Sequence, residues 1–225
     1  MQIKLDLKIF IFIIIFVLTR QIEIYGMLML FAFLHELGHL LAGVILGFKP
    51  KSLKINPLGL SISFWIKAED YNRRIFQGNI LAVKKLLIAM AGPMINFILV
   101  LIFSVFDFKL WDIDQELLIY SNILIGLFNL IPIYPLDGGR ILKNILYIFT
   151  GLEDTYGYIN LVSHISIIIL TMFSSIMIFY LQNIAVLLII GYLWYLVIAE
   201  NKIYRQRMRI YEVIGSSKAN YKNFN

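Results

Sequence analysis

The 225-residue chain has no cysteine. That removes disulfides and thiolate ligands, and leaves histidine, aspartate and glutamate as the side chains able to hold a metal ion. Charge is scarce as well: 15% of residues are Asp, Glu, Lys or Arg against 60% hydrophobic, and the mean hydropathy is +0.81. This balance excludes an ordinary soluble domain, because apolar runs recur along the whole length and leave no room for one between them. The first run, 9–18, follows Lys4 and Lys8 as in a signal sequence, yet Thr19-Arg20-Gln21 offers no small-residue cleavage site. It therefore reads as an uncleaved first span. No internal repeat is visible. A net charge of +6 does not argue for nucleic acid here, because the basic residues gather in loops and at the C-terminus, where they retain those segments in the cytosol.

What is present predicts an all-α polytopic membrane protein of about six transmembrane helices, with a short membrane-associated β-hairpin after the second. Spans are expected over 9–18, 25–48, 86–106, 117–131, 161–181 and 184–198. Lys49, Lys51, Lys54, Lys67, Arg73, Arg74, Lys84 and Lys85 put the loop 49–85 on the cytosolic side, while Asp107, Asp112, Asp114 and Glu116 around Lys109 mark an external loop. Both termini are then cytosolic, with residues 1–200 as the membrane domain and 201–225 as a short basic tail against anionic headgroups. In the loop, Leu53 and Ile55 precede a turn at Asn56-Pro57-Leu58-Gly59, and Leu60, Ile62 and Phe64 alternate with Ser61 and Ser63. The edge of such a hairpin could hold an extended polypeptide; an interfacial hairpin that only packs fits the pattern equally.

The chemistry begins at His35-Glu36-Leu37-Gly38-His39, inside an apolar run 27–48 whose only charge is Glu36. Histidines at i and i+4 share one helix face, so both imidazoles can bind one divalent ion while the intervening Glu takes a proton from the water it activates. In soluble chains five-residue matches of this kind often arise by chance. In a membrane, burying two His and a Glu is costly unless they are paired or metal-bound. Counting about 1.5 Å per residue from the end of the span, His39 lies roughly 14 Å deep. In the third span Ala89-Met90-Ala91-Gly92-Pro93 is expected to interrupt the helix, either freeing backbone or serving close packing alone, and Asn96 needs a partner at that depth. Asn122 and Asn129 lie near one face of the fourth span, which breaks at Pro132 and Pro135. Gly138-Gly139 permit unusual backbone angles, so Leu136-Asp137-Gly138-Gly139-Arg140 is expected to be unwound. Asp137 suits two roles: a third metal ligand that leaves the fourth tetrahedral position to water, or a cap of the next helix. His164 suits a second metal site or, more ordinarily, a hydrogen-bonded interfacial histidine.

Together, His35-Glu36-Leu37-Gly38-His39, Ala91-Gly92-Pro93 with Asn96, and Asn129-Leu130-Ile131-Pro132 through Pro135-Leu136-Asp137-Gly138-Gly139 resemble the site-2 protease family of intramembrane zinc metalloproteases. The stage IV sporulation protein FB branch is the closer resemblance, extending to the Tyr204-Arg205-Gln206-Arg207 tail; members commonly carry a C-terminal nucleotide-sensing CBS domain, which is not read here. The resemblance implies a catalytic core over about 25–140, one Zn2+ per chain held by His35, His39 and Asp137, and Glu36 as catalytic acid and base. It also implies Asn129, with Asn96 more weakly, at the substrate or oxyanion. The expected substrate is a membrane-associated or single-span protein such as a pro-sigma factor, cut in the bacterial cytoplasmic membrane with a fragment released to the cytosol and with membrane inhibitors or regulators as further partners. Two other classes compete. A divalent-metal transporter would line a path to both faces with ligands, whereas the outer halves of these spans lack ionisable groups; a catalytically silent scaffold would have lost the motif residues.

Overall fold

A computed structural model describes residues 2–56, 59–65, 75–106, 114–150, 152–181 and 184–222. Pro57 and Leu58 of the predicted turn, Lys67, Arg73 and Arg74, Asp107, Lys109 and Asp112, and Gln182-Asn183 lie outside them. The elements run β1 (Gln2–Leu5), α1 (Lys8–Leu18), α2 (Ile22–Ile45), β2 (Lys49–Asn56), β3 (Gly59–Trp65), α3 (Ile75–Val105), α4 (Gln115–Leu130), α5 (Asp137–Thr150), α6 (Leu152–Leu181) and α7 (Ile184–Lys222). Three stretches among the described residues are long and apolar enough to cross a membrane: Ile22–Ile45, Asn79–Val105 and Asp154–Ile176. Of the other candidates for the predicted six, α1 and α4 fall short of that length. At about 1.5 Å per residue, α1 reaches roughly 16 Å and α4 roughly 24 Å, against about 30 Å of hydrocarbon.

Four expectations are corrected. The predicted hairpin is part of a three-stranded mixed sheet in the order β1-β2-β3, with β1 parallel to β2 (Gln2↔Ser52 to Leu5↔Ile55) and β2 antiparallel to β3. The N-terminal partner is remote in sequence, so local alternation could not reveal it. Pro93 does not interrupt α3, which is continuous through it; proline removes one intrahelical hydrogen bond, and packing against neighbouring helices sustains the rest. Gly138 and Gly139 are not unwound either. They belong to the first turn of α5, and among the described residues the positive-φ glycine is Gly47. Their role is proximity, since a Cβ on Gly139 would lie 2.5 Å from the Tyr134 nitrogen and one on Gly138 would overlap the Leu130 carbonyl. Finally, α7 continues through the basic tail instead of ending near residue 198.

Packing explains the central position of α2. At its N-terminal end Tyr25 stacks on Phe16 of α1, with ring centres 4.6 Å apart, next to Phe12. Further along, Met27 and Phe31 join Phe103 of α3 and Leu118 of α4 in a second cluster. A third cluster, Ile133, Ile167, Leu193 and Val197, ties the non-helical stretch after α4 to α6 and α7. At ~25 cal/mol per Å2 of apolar surface removed from contact with water, such clusters would dominate a soluble fold. In lipid, close fit and satisfied polar groups matter more.

Candidate metal centre

His35 and His39 project from one face of α2 and meet Asp137, the first residue of α5. The Asp137 Oδ2 atom lies 2.8 Å from His35 Nε2 and 3.0 Å from His39 Nε2, and the two Nε2 atoms are 3.2 Å apart. All three side chains are buried, at 3–4% exposure. Asp137 thus opens α5 and lies against both histidines. Its other oxygen, Oδ1, accepts from Arg140 Nη1 at 3.4 Å.

Hydrogen-bond direction determines what this cluster can bind. Asn122 Nδ2 donates to the Leu118 carbonyl (2.9 Å), which can only accept. Asn122 Oδ1 is consequently free to accept from Asn96 Nδ2 (3.0 Å), and this turns Asn96 Oδ1 toward His35 Nδ1 at 2.5 Å. His35 Nδ1 thus carries the proton and donates. On the other imidazole, His39 Nδ1 donates to the Ile88 carbonyl of α3 (2.6 Å). In the neutral imidazoles each Nε2 then presents a lone pair, the arrangement that positions histidine ligands in metal sites. Two lone pairs and a carboxylate oxygen within 2.8–3.2 Å of one another repel unless a positive centre lies between them. A tetrahedral ion with bonds of 2.0–2.1 Å would hold such atoms about 3.4 Å apart, so a small outward relaxation accommodates zinc. Among the described residues, His35, His39 and Asp137 are the set grouped closely enough to share an ion.

The surroundings are cut to this centre. Gly92 of α3 faces it so closely that a Cβ there would come within 2.5 Å of His35 Nε2, and closer still to His39 Nε2. Glu36, between the two histidines, is 9% exposed, and its Oε2 has no hydrogen-bond partner among the described residues. A buried carboxylate oxygen left in that state is poised for a ligand that is not part of the fold. The non-helical stretch before Asp137 is held by α6, where Ser163 Oγ accepts from the Tyr134 N–H at 3.0 Å.

The remaining candidates divide. Asn96 is fully buried, with both ends of its amide engaged by His35 and Asn122. Asn129 is half-buried, returns Nδ2 to the Ile125 carbonyl of its own helix (3.0 Å), and borders an apolar cleft. His164 keeps Nδ1 on the Asn160 carbonyl at 2.7 Å and Nε2 near Asn201, away from the cluster. Sequence reasoning did not single out Asn122 and Ser163 as supports of the centre. A polar residue at membrane depth was the available signal for Asn122; for Ser163, bound to a backbone N–H 29 positions away, there was none.

Fold and centre define the class: a helical membrane protein carrying a buried His-His-Asp cluster that could hold a metal ion. Its fold is that of a site-2 protease. The solved site-2 protease from Methanocaldococcus jannaschii superposes with a TM-score of 0.65, covering 88% of this chain and 89% of that one at 22% identity. In sequence, residues 115–173 match the family model for Peptidase family M50, a segment that includes Asp137 and excludes the two histidines. A zinc metalloprotease of Methanocaldococcus jannaschii is 32% identical over 132 residues, 56% of this chain and 33% of that protein. The stage IV sporulation protein FB of Bacillus subtilis is 26% identical over 134 residues, 56% of this chain and 41% of that protein. The alignments thus span well under half the length of these curated relatives.

Proposed function

We propose that the chain is an intramembrane zinc metalloprotease that hydrolyses a peptide bond in or near a membrane-associated segment of a substrate protein and releases a fragment to the cytosol. The observation that carries this reading is the meeting of His35, His39 and Asp137 within 2.8–3.2 Å of one another beside the Glu36 oxygen that has no partner among the described residues. When bound, one Zn2+ would supply Lewis acidity, polarising a water and the scissile carbonyl. Glu36 takes the water's proton on Oε2 and returns it to the departing amine nitrogen. Asn96 and Asn122 keep the His35 lone pair aimed inward, and Asn129 offers a polar contact to the substrate or the developing oxyanion.

In this reading α1, α2, α3, α4, α6 and α7 all cross the cytoplasmic membrane of a bacterium, with both termini and the sheet on the cytosolic side, as the basic loop favours. A membrane-associated pro-sigma factor is one substrate to try. A transporter is less well supported, because the ligands gather at one point and not along a path. The test is zinc content and cleavage of a single-span substrate by the purified protein. Glu36→Gln should keep its zinc and lose about 100- to 10,000-fold in turnover, the usual weight of a general acid or base; Asp137→Ala should lose the zinc. Full cleavage by a zinc-loaded Glu36→Gln enzyme would sink the assignment.

A further inference from the structure

Asp137 brings two oxygens to the cluster, and they are used differently. Among the described residues its carboxylate has three partners: Oδ2 lies against both histidine Nε2 atoms, and Oδ1 accepts from Arg140 Nη1 at 3.4 Å. Arg140 stands three positions further on, on the same face of the first turn of α5. Its backbone is fixed on both sides, since its N–H donates to the Leu136 carbonyl (3.0 Å) and its carbonyl accepts from Asn144 Nδ2 (2.8 Å). The side chain is half-buried and lines a cavity of about 270 Å3 that opens beside His39. A cation in the first turn of a helix meets the positive end of the helix dipole, where an acidic residue would be the stabilising choice. Local helix energetics therefore do not account for Arg140. Its contact with Asp137 does, and among the described residues that carboxylate is the single hydrogen-bond and ion-pair partner of the guanidinium. At 3.4 Å the contact is longer than the roughly 2.7–2.9 Å of a tight charge-assisted bond, so charge more than a directed N–H holds Oδ1.

A carboxylate can close on an ion with one oxygen or with both. With Oδ1 held by Arg140, Oδ2 alone is left for an ion shared with His35 and His39, and three protein atoms leave the open position that a catalytic metal needs. Were both oxygens to bind, the protein itself would occupy that position. We infer that Arg140 is a positioning residue that restricts Asp137 to one oxygen at a bound metal and so keeps a coordination position open. The inference rests on the metal-binding part of the proposed function and is independent of which substrate is cut.

The experiment uses the purified full chain in a neutral detergent, loaded with Co2+, whose visible bands are intense when four atoms surround it and weaken when a fifth joins. The wild type should show the intense spectrum. Arg140→Met, unbranched and uncharged, should bind as much Co2+ with weakened bands, because Oδ1 is released toward the ion. Arg140→Lys restores the charge and should return the wild-type spectrum. Arg140→Gln, polar and neutral, should follow Arg140→Met, and it decides the matter where the apolar variant does not fold. Asn144→Ala removes a bond to the backbone of the same turn without touching Asp137, and should leave the spectrum intact. With zinc in place of Co2+, turnover of a single-span substrate should fall about 10- to 100-fold in both neutral variants, the usual weight of a partner that orients a metal ligand. Identical spectra in the wild type and the neutral variants overturn the inference and leave the metal centre standing. A spectral change that Asn144→Ala shares, or that Arg140→Lys fails to repair, overturns it too, and so does loss of the metal from both neutral variants, which would make Arg140 a support of the fold. A wild type that binds no Co2+ overturns the metal reading along with the inference. The expected spectra in a chain that cleaves no membrane substrate leave the role of Arg140 in place and remove the protease reading.

Discussion

The face of α2 that carries His35 and His39 borders two cavities made of different materials. Tyr25, Leu28, Met29 and Ala32, one to three turns before Glu36, line an apolar cleft of about 150 Å3 completed by Phe12 and Phe16 of α1 and by Phe128 and Asn129 of α4. At His39 the lining changes to Lys85, Arg140 and Lys143 opposite Phe48 and Phe64. Within two helical turns the surroundings pass from hydrocarbon-like to charged, and the polar centre sits at the change. This location lowers the penalty of burying three ionisable groups, because they lie next to charged and polar partners instead of deep in an apolar core. The cleft and the centre also differ in tolerance: Gly92 packs against His35 and His39 with no room for a Cβ, while the cleft has volume to spare.

That contrast in tolerance is the first thing to break. Gly92→Ala puts a methyl where the two Nε2 atoms already lie. Overpacking of this kind costs roughly 1–3 kcal/mol, so zinc affinity, titrated against a competing chelator, should fall about 10- to 100-fold. Ala32→Val on the cleft side should change it little. Equal losses in the two variants would show that the cleft is as tightly fitted as the centre.

The asparagines sharpen the comparison at the next level. Asn96→Ala removes the acceptor that holds the His35 tautomer, and loss of such a supporting partner lowers metal affinity or activity about 10- to 100-fold. Asn122→Ala should act in the same direction and more weakly, since it works through Asn96. Asn129, near the same face of α4 but turned to the cleft, should behave differently: Asn129→Ala leaves zinc affinity within about 0.5 kcal/mol of wild type and lowers turnover. A zinc loss in Asn129→Ala would move it into the metal support.

These three asparagines also mark how far the sequence could be read. The i, i+4 histidines needed only helical periodicity, and the break at Pro132 and Pro135 announced an irregular backbone near Asp137. Whether Asp137 met the histidines was not local information, because the contact spans 98 and 102 positions. Asn122 and Asn129 are equivalent by spacing and differ only in what lies across from them, Asn96 in one case and an apolar cleft in the other. The two glycines after Asp137 were legible as special but not for the right reason: they serve close approach to Leu130 and Tyr134, a tertiary property. The strand β1 was hidden because half of its pattern lies in β2.

The smallest effect is expected at the sheet, away from both cavities. Asp6 follows β1, accepts the Lys8 N–H on Oδ1 at 3.2 Å where α1 begins, and pairs with Lys54 of β2 at 3.4 Å. Burial pushes its carboxyl up, but the Lys8 N–H and the charges of Lys54 and Lys8 outweigh burial and hold it below the ordinary value of 3.8. A carboxyl whose folded value is depressed stabilises the fold above its unfolded value, and that contribution is lost as pH falls through the folded one. Asp6→Asn should therefore lower stability at neutral pH by less than about 1 kcal/mol, the range of an exposed pair, and added salt should shrink the difference. Thermal unfolding in neutral detergent across a pH series tests the sign. The gap between wild type and Asp6→Asn should close as the solution is acidified below the carboxylate range. If it stays constant, the tie between β1 and α1 rests on the hydrogen bond to Lys8, which an asparagine oxygen would also accept, and on packing, with no part owed to charge.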